Sequence, residues 1–258
     1  MNTLGTPQSV AIGTWVKIAS SVSFEIIARS GFDFVVLDLE HGLLPLEWVH
    51  DACAIGQARG LTMLVRLPNA TGGEISRILD MDADGILVPQ LRSAKQARAL
   101  MRAALFPPRG TRGAGPTTRA GRWGLLDRKQ YLSRETIHCI QFETTGSFEQ
   151  VSQILDVDGV NAALLGRVDL AVSLGVPDTD PRLGALSQLL RTESHQRGIA
   201  CGTAVGSATA VRQAIEEGFD FVVVSNDASV LAHAMADLAA VDTTRPASVG
   251  SRPRPGRG

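Results

Sequence analysis

The chain predicts an α/β fold, a single-domain (β/α)8 barrel of the TIM type, and three observations carry that prediction. Short apolar runs recur along the sequence, each followed by a longer stretch of helical period. Strands separated by helices pair in parallel through right-handed crossovers, because a hairpin cannot reach a parallel neighbour. A length of 258 residues suits eight such units. The competing architecture, a doubly wound open sheet, would want a glycine-rich turn after the first strand. Gly13-Thr-Trp15-Val16 supplies no G-x-G-x-x-G.

Taken in order, residues 1–9 form a polar N-terminal extension, and Val10 to Trp15 opens the barrel. A helix follows over Ser23 to Ser30. Phe34 to Leu39 is a nearly unbroken apolar run, the pattern of a strand covered on both faces, and leads to a helix over Leu46 to Arg59. Thr62 to Leu67 and Gly85 to Val88 are the third and fourth strands, with helices at Gly73 to Leu79 and Ala94 to Ala104. Thr71-x-x-Glu74 and Ser93-x-x-Gln96 read as capping boxes for those helices. Ile137 to Phe142 and Val160 to Leu165 continue the barrel, with helices at Phe148 to Leu155 and at Arg182 to Gln196, the latter opened by Asp180-Pro181. Ile199 to Thr203 and Phe219 to Val224 close it, with helices at Ala208 to Glu217 and Val230 to Ala239. No internal repeat is visible beyond the βα alternation.

Two segments break the rhythm. Phe106 to Gly124 is a long loop carrying Arg109, Arg112, Arg119 and Arg122, which read either as an attraction for an anionic substrate or as subunit contacts. The domain is expected to span 10–242, followed by a Pro-, Gly-, Ser- and Arg-rich tail, 243–258, expected to be disordered.

Composition narrows the function classes. Charged residues are 20% of the chain and the formal net charge is −1, which argues against a nucleic-acid or polyanion binder and for a small ligand. Cys53, Cys139 and Cys201 are odd in number and form no CxxC pair, so reduced core cysteines and a cytoplasmic location are expected. No charged leader precedes an apolar stretch at Met1 to Ser9, and no apolar run approaches the ~20 residues of a membrane span, so no membrane partner is expected.

In a (β/α)8 barrel the chemistry sits at the C-terminal ends of the strands, so the reactive groups found there matter most. The second strand delivers Asp38, Glu40 and His41, the third Arg66, the fifth Gln141 and Glu143, and Gly166-Arg-Val-Asp169 follows the sixth. Glu143 and Asp169 are hard oxygen donors suited, with waters, to Mg²⁺ or Mn²⁺. A cation there would polarise a carbonyl, and Arg66 would face the negative charge that develops on it. The unperturbed pKa of a histidine, about 6.5, lets His41 take and give a proton near neutrality. Each residue also has an ordinary reading, as a loop cap, a salt-bridge partner or a solvent-facing histidine; the conjunction at one barrel face is what points to proton or carbon transfer next to a keto group. Trp15 reads equally as a pocket wall and as filling for the barrel mouth. His50, His138, His195 and His233 read as surface or core residues, and the Gly202-Thr-Ala-Val-Gly206 stretch resembles an anion-holding turn. No lysine is expected at the converging strand ends, which argues against Schiff-base chemistry.

The ordered set Gly13-Thr-Trp15, Gly31-Phe-Asp-Phe-Val-Val-Leu-Asp38-Leu-Glu-His41, Val65-Arg66, Ile78-Leu-Asp80, Phe106-Pro-Pro-Arg-Gly-Thr-Arg112-Gly-Ala-Gly115, Gln141-Phe-Glu143 and Gly166-Arg-Val-Asp169 resembles the HpcH/HpaI aldolase family across roughly residues 10 to 235. The resemblance implies a metal-dependent (class II) aldolase, a lyase acting on 2-keto-3-deoxy sugar acids and 4-hydroxy-2-oxo acids such as 4-hydroxy-2-oxoheptanedioate, releasing pyruvate and an aldehyde. It implies Glu143 and Asp169 as metal ligands for Mg²⁺ or Mn²⁺, with Co²⁺ a third candidate. It further implies Arg66 as the enolate-stabilising arginine, His41 as general base with Asp80 raising its basicity, and Gln141 and Val168, beside Asp169, as keto-acid contacts. A homo-oligomer, trimer or hexamer, with exchanged C-terminal helices is implied as well.

The sequence departs from the family where Arg167 replaces a proline, leaving open a substrate with a second carboxylate, or a citrate-like acid or CoA thioester. A non-catalytic ligand-binding barrel is the alternative from another class. Asp80 presents a tension, because the end of its helix belongs to the barrel face opposite the strand ends; a displaced helix, a histidine from elsewhere, or Asp38 orienting His41 instead would each resolve it.

Overall fold

The apolar runs close on themselves. In the computed structural model, which describes residues 4–5 and 9–240, β1 (Ala11–Val16), β2 (Phe34–Asp38), β3 (Thr62–Arg66), β4 (Gly85–Val88), β5 (Ile137–Phe142), β6 (Ala162–Leu165), β7 (Ala200–Val205) and β8 (Phe221–Asn226) form a closed barrel in sequence order. Every neighbouring pair is parallel, and β8 returns to β1. The helices are α1 (Ser21–Ala28), α2 (Leu46–Ala58), α3 (Ile75–Asp80), α4 (Ala94–Ala104), α5 (Arg128–Leu132), α6 (Thr145–Glu149), α7 (Val151–Leu155), α8 (Arg167–Leu174), α9 (Pro181–Gln196), α10 (Ala208–Glu217) and α11 (Asp227–Ala239). The predicted single-domain TIM barrel is therefore the fold. The expected disordered tail, 243–258, falls outside the described residues.

Strand periodicity sorts the side chains into two cores. Trp15, Phe34, Val36, Leu64, Cys139 and Phe221 point inward and fill the barrel, where Leu4 joins them. Val35, Leu37, Met63, Val65 and Ile140 point outward against the helices. The same alternation carries the inward row upward to Lys17, Asp38, Arg66, Gln141 and Glu143 at the C-terminal rim, so the strand register that builds the core also aims the polar groups.

The N-terminal rim is held by a device that recurs on every second strand. Asp33 Oδ2 accepts the Ile12 N–H at 2.8 Å, Asp84 Oδ2 the Met63 N–H at 2.8 Å, Asn161 Oδ1 the His138 N–H at 2.7 Å and Asp220 Oδ2 the Cys201 N–H at 2.7 Å. Each side chain precedes an even-numbered strand and clamps the strand before it, giving a partner to a backbone donor at the rim. Two of these clamps lie in an identical hexapeptide, Gly31-Phe-Asp-Phe-Val-Val36 and Gly218-Phe-Asp-Phe-Val-Val223. The chain thus does hold an internal repeat beyond the βα alternation. In both copies the phenylalanine after the aspartate enters the barrel against a glycine of the preceding strand. A Cβ on Gly13 would stand 2.4 Å from the Phe34 ring, and one on Gly202 2.3 Å from the Phe221 ring. The two rings meet edge to face at 6.0 Å.

Several local expectations change. Thr71 and Glu74 form no capping box; Glu74 itself is the N-cap of α3 and makes no side-chain cap bond. Ser93 does cap α4, accepting the Gln96 N–H, while the Gln96 side chain serves Arg92. Asp180 caps α9 with Pro181 in its first turn. A reciprocal capping box that the sequence reading passed over joins Thr144 and Ser147, because serine stands where Glu or Gln is the usual signal. The Gly202 to Val205 stretch lies inside β7 and makes no anion-holding turn.

The long loop is ordered over the outside of the barrel. Arg109 grips Asp158 with two bonds, Arg112 pairs with Asp80 at 2.7 Å, and Arg119 donates to Gln57 Oε1 at 2.9 Å. Three of its four arginines therefore fasten the loop to its own chain, a third role besides substrate attraction and subunit contact. Arg119–Gly124 ends in a kink where Arg122 and Trp123 take left-handed φ of 50° and 57°, leaving the Trp123 ring exposed beside His50.

Candidate active site

Asp38 is the buried centre of the C-terminal rim. It stands opposite Arg66 in the β2–β3 register, which brings carboxylate and guanidinium face to face. Arg66 Nε donates to Oδ1 at 2.9 Å and Nη2 to Oδ2 at 2.6 Å, a bidentate pair. Oδ1 also accepts the Glu40 and His41 backbone N–H groups, at 3.0 and 3.1 Å. Burial raises the Asp38 carboxyl, but the Arg66 bonds and charge, the His41 N–H and Lys17 outweigh it and hold the group below its ordinary value.

Arg66 is also 3.0 Å from Glu40 Oε2 through Nη1, and its guanidinium lies 4.2 Å above the Trp15 ring centroid. Trp15, nearly buried, thus forms the floor beneath the arginine and belongs to the barrel core as well. Lys17 extends past β1 with Nζ 3.2 Å from Asp38 Oδ2. A lysine therefore does stand at the strand ends, contrary to the sequence reading, which ended the first strand at Trp15. Its ammonium is held as the counter-ion of Asp38, a poor state for an amine nucleophile.

Across the mouth, Glu143 is buried at the end of β5. Oε1 accepts the Gln90 backbone N–H and Oε2 the Gln141 side-chain amide. Burial pushes the Glu143 carboxyl up to about 7; the Gln90 bond opposes the shift, the charges of Asp169 and Glu40 add to it, and Arg66 opposes it. Asp169 stands in the first turn of α8, a helix the sequence reading did not assign, with Gly166 as its N-cap. A Cβ on Gly166 would meet Glu143 Oε2 at 2.9 Å and Gln141 Nε2 at 3.0 Å, so a bare backbone is needed where the helix start passes over these side chains. Val168, beside Asp169, is exposed.

Among the described residues no three His, Cys, Asp or Glu side chains converge as a metal cage. The donors do fit a divalent cation of the Mg²⁺ kind, which is held by one or two protein carboxylates while substrate and water complete its shell. Glu143 has like-charged neighbours on two sides, and Glu40 Oε2 and Gln141 Oε1 are buried acceptors without a hydrogen bond. A cation relieves that arrangement.

His41 sits just past β2 with its side chain half exposed and Nε2 3.8 Å from Glu40 Oε2. The structure thus gathers His41, Arg66, Glu143, Gln141, Trp15 and Asp169 at one rim. Asp80 is elsewhere: it closes α3, near the N-terminal rim, and pairs with Arg112. Asp38 does not orient the His41 ring either, since it takes the His41 backbone N–H. Sequence reasoning named Glu40 without assigning it a partner and missed Gln90 altogether; Gln90 follows β4 by two residues, and no local pattern signals its bonds to strands about fifty residues away.

The other reactive groups are satisfied in the core or lie at the surface. The His138 ring is buried and bonded to the Gly159 carbonyl at 2.8 Å. His195 pairs with Asp220 at 2.9 Å, and burial pushes Cys53 and Cys201 up to about 12.

The model of one protein family, HpcH/HpaI aldolase/citrate lyase, matches residues 11–234. A 4-hydroxy-2-oxovalerate aldolase of Rhodococcus jostii is 34% identical over 235 residues, covering 89% of this chain and 90% of the relative. A 4-hydroxy-2-oxo-heptane-1,7-dioate aldolase of Escherichia coli is 31% identical over 240 residues, covering 92% of this chain and 90% of the relative. The crystal structure of an HpcH/HpaI aldolase/citrate lyase family protein from Burkholderia cenocepacia superposes with a TM-score of 0.82 at 27% identity, covering 89% of this chain and 93% of that one.

Proposed function

The chain belongs to the HpcH/HpaI aldolase/citrate lyase family, a family of carbon–carbon lyases, and on that premise we propose that it is a divalent-metal-dependent aldolase. It reversibly cleaves a 4-hydroxy-2-oxo acid to pyruvate and an aldehyde. The observation that carries this reading is the buried Glu143 carboxyl with Asp169 and Glu40 as like-charged neighbours, opposite a fixed Arg66 and within one rim of His41.

Glu143 and Asp169 would hold Mg²⁺ or Mn²⁺, with Co²⁺ a third candidate. Such a cation supplies Lewis-acid polarisation of the 2-keto group. His41 takes the proton of the 4-hydroxyl, whose oxygen becomes the aldehyde carbonyl as the C3–C4 bond breaks. The electron pair of that bond passes to the pyruvate enolate, which Arg66 faces as a fixed positive charge; its bonds to Asp38 and its seat on Trp15 leave it little to reorganise. A proton delivered to C3 then gives pyruvate. Gln141 and Val168 line the keto-acid side.

Within one chain Asp80 cannot serve His41 from the opposite rim. In the reading where its histidine comes from elsewhere, that histidine belongs to a neighbouring copy, and α11 supports an assembly of copies. That helix buries none of its own residues and exposes Val230, Leu231, Met235 and Leu238, as a subunit interface would require. We therefore take the enzyme as a homo-oligomer, a trimer or hexamer. No helix among the described residues is long and apolar enough to cross a membrane.

Arg167, the residue that kept a citrate-like acid open, donates to the Asp178 backbone carbonyl at 3.2 Å and so gives that reading no specific support. The test is pyruvate release from 4-hydroxy-2-oxovalerate and from 4-hydroxy-2-oxo-heptane-1,7-dioate. Release with Mg²⁺ or Mn²⁺ that EDTA abolishes is expected; no release from either acid or from other 4-hydroxy-2-oxo acids with any divalent metal would sink the proposal.

A further inference from the structure

We propose that Gln90 is a positioning residue of this site, fixing Glu40 and Glu143 together and so coupling the proton-transfer side of the mouth to the side that would hold the cation. The inference rests on the function proposed above and adds a residue to it.

Gln90 follows the end of β4 by two residues, with the buried Pro89 between. Its two donors go to acids that follow two different strands, β2 and β5. The backbone N–H donates to Glu143 Oε1 at 2.5 Å, and the side-chain amide donates to Glu40 Oε1 at 2.6 Å. This takes a φ of 52°, the left-handed region that residues with a Cβ seldom occupy and that is found disproportionately where function over-determines the backbone. Among the described residues no other side chain in the mouth joins the β2 and β5 acids in this way: Gln141 bonds Glu143, and Arg66 bonds the acids at the β2 end.

The Glu40 side chain follows from this anchor. With Oε1 taken by Gln90, its second oxygen is placed 3.0 Å from Arg66 Nη1 and 3.8 Å from His41 Nε2, buried and without a hydrogen bond. Asp38 has spent its oxygens on Arg66, Lys17 and two backbone N–H groups. The carboxylate that faces the His41 ring in this chain is therefore Glu40. Released from Gln90, it would be free to turn away from the His41 ring.

Two substitutions separate the roles. Gln90→Gly keeps the backbone N–H and favours a positive φ but removes the amide that holds Glu40. Gln90→Val removes the amide and also strains the left-handed backbone that presents the N–H to Glu143. In Gln90→Gly, kcat for keto-acid cleavage should fall about 10- to 100-fold, the usual scale for losing an outer partner of a metal site, while KM and the Mn²⁺ dissociation constant stay within about twofold. In Gln90→Val the same loss of kcat should come with Mn²⁺ binding weakened about 10-fold or more, read by titration of the protein without substrate. A Gln90→Gly enzyme with wild-type kcat would overturn the proposal. So would equal losses of kcat and Mn²⁺ affinity in both variants, which would mark Gln90 as only structural. A wild-type protein that neither binds Mn²⁺ nor cleaves a 4-hydroxy-2-oxo acid would instead sink the functional reading beneath it.

Discussion

The two rims of the barrel are built from the same kinds of side chain put to opposite uses. At the N-terminal rim Asp33, Asp84, Asn161 and Asp220 each accept a backbone N–H from the neighbouring strand through a side-chain oxygen. At the C-terminal rim Glu143 has Asp169 and Glu40 as like-charged neighbours, and the buried Gln141 Oε1 has no hydrogen bond. A carboxylate that clamps a strand is tied to the fold by that bond, Asp84 even though burial, with Asp82 beside it, raises its carboxyl. One held among its own kind costs stability until a cation or substrate arrives, which is the usual sign of a site kept for chemistry.

If that contrast is right, substitutions at the two rims should separate stability from activity. Arg66→Ala should have the largest effect, because it leaves Asp38 and Glu40 buried without their counter-ion: about 3–5 kcal/mol of stability lost in urea denaturation, together with cleavage activity. A variant that folds with wild-type stability would show that Lys17 alone neutralises the pair.

Glu143→Gln should move the two properties in opposite directions. In the metal-free protein Glu143 takes its proton at about 7 against 4.5 for the ordinary group, so the folded state binds more protons than the unfolded one between those values. Stability in EDTA should therefore fall as pH rises through that window and level off above it, by at most about 3.5 kcal/mol at roughly 1.4 kcal/mol per unit. The glutamine has no charge to bury, and the Gln141 amide can turn its unpartnered Oε1 toward the new donor. Glu143→Gln is thus expected to lose cleavage, to be more stable than wild type at pH 8 in EDTA, and to match it near pH 4. A lower melting temperature at pH 8 would argue that the carboxylate is structural.

The N-terminal rim should behave conversely. Asp33→Ala removes the exposed bond to the Ile12 N–H and should cost about 0.5–1.5 kcal/mol of stability with kcat and Mn²⁺ affinity unchanged. Loss of kcat in a variant that remains folded at the assay temperature would break the division between the rims. Smallest of all, Arg109→Ala removes a solvent-exposed pair with Asp158 and should shift stability by no more than about 1 kcal/mol, a useful baseline for the same denaturation series.

The barrel was legible in the sequence because strands covered on both faces leave nearly unbroken apolar runs. Gly85–Val88 and Ile137–Phe142 match their predicted bounds, and the others shift by one or two residues. The acids, Arg66 and His41 were legible because they end those runs. What escaped depends on closure of the barrel. Gln90 meets Glu40 and Glu143 across fifty and fifty-three residues, and Lys17 meets Asp38 only because β1 and β2 are adjacent. Asp169 was found, but its helix α8 was not: Gly166 opens it without a side-chain cap bond, so no start signal stands in the sequence. The Asp-Phe repeat was present as identical letters, and only the clamps on Ile12 and Cys201 give it a meaning.

The most direct test of the central claim, that the unsatisfied rim is a cation-dependent enolising site, is deuterium exchange into the pyruvate methyl group, followed by NMR in D2O. The wild-type protein with Mn²⁺ or Mg²⁺ should exchange the methyl protons, EDTA should stop the exchange, and Glu143→Gln should show none. Exchange that continues in EDTA, or that survives in Glu143→Gln, would contradict the account.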